Sequence, residues 1–100
     1  MRPDCIANEL NNDELVDHLK CFVKEERKVC TSVIAYLGVV EDRGIFAELG
    51  YSSLFRFAME ELCYSESEAL KRIQVARAAK RMPRLYYLLE DGEISLSGLA

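Results

Sequence analysis

The sequence predicts an all-α chain, a small domain of about five helices opened by a long N-terminal helix or helix pair. Three observations lead there. Apolar residues recur three and four positions apart over a long stretch, at Leu15, Leu19, Phe22, Val29, Val33, Leu37 and Val40. Two strong helix starts are present, Asn11-Asn12-Asp13-Glu14 and Ser65-Glu66-Ser67-Glu68. No run alternates apolar and polar residues between hairpin turns, and Val33-Ile34 and Val39-Val40 lie inside helical periodicity.

Taken in order, residues 1–12 read as a flexible leader and residues 13–100 as one helical domain. The capping amide and first-turn acids at 11–14 open a helical segment over 13–41. The Glu25-Glu26-Arg27-Lys28 run interrupts its stripe, so the pattern fits one helix, about 40 Å long, or two joined there. A short helix over 43–49 ends at Gly50, a natural residue to follow a helix. Ser52 or Ser53 caps a helix carrying Leu54, Phe55, Ala58, Met59 and Leu62. After Cys63-Tyr64, the S-x-x-E capping box opens a helix that runs to about Arg81. Pro83 suits the first turn of the next helix, which Asp91-Gly92 ends. Residues 94–97 begin a further element. The region 43–100 therefore reads as helix-turn-helix-like, with 66–81 as the second helix of the pair.

Composition narrows the function. The 100 residues, half of them hydrophobic, suffice for one modest core. Four cysteines show no C-x-x-C spacing, and Cys21 and Cys30 sit among apolar neighbours. Reduced, partly buried thiols in a cytoplasmic protein are expected. No signal peptide and no membrane-spanning run is visible, so no membrane partner is expected. His18 stands alone, so no metal site is expected. No phosphate loop or nucleophile elbow appears, and neither an enzyme site nor a cofactor is implied.

Charge is the informative feature. The chain carries a net −4, yet residues 67–86 hold six basic side chains against one acid, Glu68. At 100° per residue Lys71, Gln74, Arg77 and Arg81 share one face of the 66–81 helix, and Ala69, Ile73 and Ala76 another. A docking face opposite a Lys/Arg/Gln face is what a helix needs to enter a DNA groove. Ser65, Ser67 and the first N–H groups could hold a phosphate. Spacing alone favours a solvated charged face over a DNA-facing one. The tyrosines near helix ends read as core staples with hydroxyls in water.

The second half, RGIFAELGYSSLFRFAMEELCYSESEALKRIQVARAAKRMPRLYYLLEDGEISLSGLA, resembles the helical region preceding the nuclease domain in bacterial HNH endonuclease-like proteins. The likeness rests on GYSSLF (50–55), YSESEALKRIQVAR (64–77), Pro83 and LLEDGEISLS (88–97). With EER (25–27) it spans 13–100. Residues 64–98 are more loosely similar to the helix-turn-helix of ParB-type partition proteins. These resemblances imply binding of double-stranded DNA, with the 66–81 helix in the major groove. They carry over Ser65, Ser67, Lys71, Arg72 and Gln74, with Arg77 and Arg81 further along the helix. Two departures stand out. Cys63 replaces a glycine in the turn, and the histidines and asparagine of an HNH motif are missing. The resemblance thus implies either the N-terminal part of a longer nuclease or a shortened relative, and the unfinished EISLSGLA end favours the first. The alternative function is protein–protein interaction or homodimerisation through the 13–41 helix, whose apolar stripe could form a seam.

Overall fold

The computed structural model describes residues 2–99, and all its regular structure is helical. Seven helices follow one another: α1 (Pro3–Asn8), α2 (Asn12–Arg43), α3 (Ile45–Glu48), α4 (Leu54–Glu60), α5 (Glu66–Arg81), α6 (Leu85–Asp91) and α7 (Leu96–Leu99). One is an addition to the expected set, α1, while α7 falls where residues 94–97 were expected to begin a further element. Where a flexible leader was expected, Pro3 occupies the first turn of α1 with its φ already near the helical value, and Asp4 places an acid there.

The long segment is one helix. The Asn11 side chain accepts the Glu14 N–H at 2.9 Å, and Glu14 accepts the Asn11 N–H at 3.1 Å, closing a capping box. Nothing between 25 and 28 breaks the helix, because charged residues are good helix formers even where they interrupt an apolar stripe. The helix ends at Gly44, in the left-handed conformation at φ +66°.

Only the C-terminal half of α2 carries the globule. Ile34, Leu37 and Gly38 are buried there, with Thr31 capped internally by its hydroxyl bond to the Arg27 carbonyl. The core joins Ile34 and Leu37 to Leu54, Phe57 and Ala58 of α4, Ala69, Ile73, Val75 and Ala76 of α5, and Leu89 of α6. The small residues of α5 let it lie close against α2 and α4, as the sequence predicts. Gly92 closes α6 at φ +75°, a left-handed conformation that favours glycine, and the Arg27 guanidinium lies over it.

The N-terminal half of α2 projects. Every residue from 11 to 29 is exposed except the half-buried Val23. The radius of gyration is 16.4 Å, whereas a compact chain of this length would have about 13 Å. The longest dimension, 49 Å, is that of α2 itself, about 48 Å at 1.5 Å per residue. Leu15, Leu19, Phe22 and Val29 are therefore not core. The same geometry exposes Cys21, expected to be partly buried; Cys5 and Cys63 are exposed too, only Cys30 is half-buried, and all four thiols are free. No described helix is long and apolar enough to cross a membrane.

Candidate nucleic-acid interface

Helix α4 ends at Glu60, and α5 begins after a connection that turns on Cys63. Cys63 is the one described non-glycine residue at positive φ, +62°. The backbone there holds a conformation that glycine adopts without strain. A Cβ there costs about 1 kcal/mol. Cys63→Gly is expected to raise stability by about 0.5–1 kcal/mol, the gain being offset in part by unfolded-state entropy. Urea denaturation measures it, and a loss of stability would show that the thiol makes a compensating contact.

Ser65 then caps α5. Its Oγ accepts the Glu68 N–H at 3.2 Å, and its own N–H donates to Glu68 Oε1 at 3.0 Å. The Ser65 backbone N–H first, and then the Ser65 side chain, hold the Glu68 carboxyl below its ordinary range. The Ser65 hydroxyl is thus engaged within the protein, while Ser67 stands exposed in the first turn.

The cations of α5 divide into three sets. Lys71 and Arg72 lean toward neighbouring elements. Lys71 Nζ donates to Ser97 Oγ of α7 at 3.2 Å. Arg72 stacks over the Tyr64 ring at 4.6 Å and donates to the Glu68 carbonyl, leaving its Nε buried without a partner. Arg77 and Lys80 grip the end of α2. Arg77 Nε and Nη2 both donate to Glu41 Oε2, at 3.1 and 2.7 Å, and Lys80 Nζ donates to Glu41 Oε1 at 2.7 Å. Asp42 stands 2.9 Å from the same ammonium. The Arg77 and then the Lys80 hydrogen bonds hold the Glu41 carboxyl below its ordinary value, and the two cations are raised in return. The third set is Arg81 alone, exposed and without an ion pair among the described residues; the neutral Gln74 is exposed as well.

Seen from outside, Ser67, Gln74, Arg77 and Arg81 lie along the solvent face of α5, opposite the buried Ala69, Ile73 and Ala76. Arg77 keeps 57% of its side chain exposed despite its partner, so it can face solvent and Glu41 together. Sequence spacing does not reveal the Glu41 clamp. The only hint is an acid pair closing α2 and a basic pair three apart on α5. Among the described residues no three His, Cys, Asp or Glu side chains gather as a metal site. No family model, curated protein or solved structure matches this chain.

Proposed function

We propose that the chain is a non-catalytic DNA-binding module that sets α5 against double-stranded DNA. The observation that carries this is the exposed Gln74–Arg77–Arg81 face on a helix whose opposite side is fully docked. The cations contact phosphates, and Gln74 is the side chain suited to an adenine edge. The resemblance to the region preceding an HNH nuclease domain supports the same reading and puts the cutting chemistry in another domain. The net charge of −4 disfavours non-specific attraction, so binding rests on this local face.

Fluorescence anisotropy of labelled duplex DNA over a salt series tests it. Wild type is expected to bind with salt-dependent affinity. Arg77→Ala with Arg81→Ala is expected to weaken binding about tenfold and to flatten the log–log salt slope by up to ~2, one phosphate contact each. Equal affinity and slope in the double variant overturn the assignment of this face.

A further inference from the structure

The projecting half of α2 leaves Leu19 and Phe22 with 60% and 61% of their surface exposed, and Val29 with 64%. A helix with an apolar stripe on one side normally covers it. Here the stripe continues through Val29 and Val33 into an open groove of about 530 Å³, walled by Tyr36, Val40, Leu62 and Tyr64. Arm and groove thus form one continuous apolar track along α2.

We propose that this track is covered by α2 of a second copy of the chain, lying antiparallel. Charge selects that occupant and that direction. From residue 12 to 19 the charged side chains are all acids, Asp13, Glu14 and Asp17. From 20 to 28 four of six are bases, Lys20, Lys24, Arg27 and Lys28. Antiparallel pairing about a two-fold axis near Leu19 and Phe22 sets each acidic end beside the partner's basic stretch, twice by symmetry. It also brings the partner's N-terminal end, with Ile6 and Leu10, toward the groove. A parallel pair would set acid on acid and base on base. The inference stands apart from DNA binding, which involves a different helix, α5.

Sedimentation velocity at about 100 μM, a concentration that populates a micromolar dimer, is the test. A mass of two chains is expected. Leu19→Glu with Phe22→Glu is expected to give a monomer that keeps the cooperative thermal transition, since neither side chain is in the core. Asp13→Asn with Asp17→Asn is expected to weaken the dimer about tenfold at low salt. A wild-type monomer at that concentration overturns the proposal and assigns the track to a different partner. Tighter or unchanged association in the Asn variant overturns the antiparallel arrangement, because neutralising acids would relieve a parallel pair.

Discussion

Ile34→Ala is expected to remove about 3 kcal/mol of stability and to lower Tm by more than about 10 °C. Ile34 is fully buried where α2 meets the rest of the core. Its removal takes away transfer free energy and leaves a cavity. Three members of the same core, Ala58, Ala69 and Ala76, have no side chain long enough to reach into that space. A domain of this size is typically stable by about 5–15 kcal/mol in all, so the variant loses a large fraction. Leu19→Ala, made on the same helix four turns earlier, is expected to leave the monomer's transition unchanged. Paired thermal melts of the two variants check that the core occupies only one half of α2. Equal losses would show the arm to be packed.

Glu41→Gln is expected to move stability and DNA affinity in opposite directions. The wild-type carboxylate joins α2 to α5 through Arg77 and Lys80. Its folded pKa lies below the ordinary 4.5, lowered first by Arg77 and then by Lys80. The contribution is therefore fully present above the unfolded value and is lost as pH falls through the folded one. With Arg77 more than half exposed, the loss on substitution is expected to be about 1 kcal/mol. The Gln variant should also show less loss of stability between neutral and acid pH than wild type. On DNA the sign reverses. Removing the carboxylate frees Arg77, leaves Lys80 paired with Asp42 alone and deletes a negative charge beside the proposed interface, so binding is expected to tighten by up to about tenfold with a steeper salt slope. Stability curves at two pH values and one anisotropy titration check all of this. A variant that binds more weakly would mean the clamp presents Arg77 to DNA rather than competing for it.

The caps were legible because they are local. Asn11 announces its helix as a capping amide ahead of first-turn acids, Ser65 as the start of a capping box, and in the structure both close as boxes. The docked face of α5 was legible for the same reason, since Ala69, Ile73 and Ala76 follow helical spacing. The stripe on 13–41 was read correctly as helical, but periodicity says only that a face is apolar, not what covers it. Burial of Leu37 and exposure of Leu19 depend on where α4, α5 and α6 fold back along the chain. The Glu41–Arg77–Lys80 clamp was illegible because its partners are 36 and 39 positions apart, and no local pattern fixes that approach. The expected recognition surface is consequently divided, with Lys71 and Arg72 drawn inward and Arg81 left outward.

Helix α2 is continuous in geometry, but its two halves differ in what resists their opening. Amides near Ile34 are expected to exchange with solvent only through global unfolding, because breaking them opens the core. Amides from 15 to 23 in a free monomer have only the helix's own propagation to protect them, and a segment of that length is marginal in water. Protection should therefore step down along a single unbroken helix, somewhere between Cys30 and Val23. The arm would be the part of the molecule that can lose and regain its fold without disturbing the core or α5.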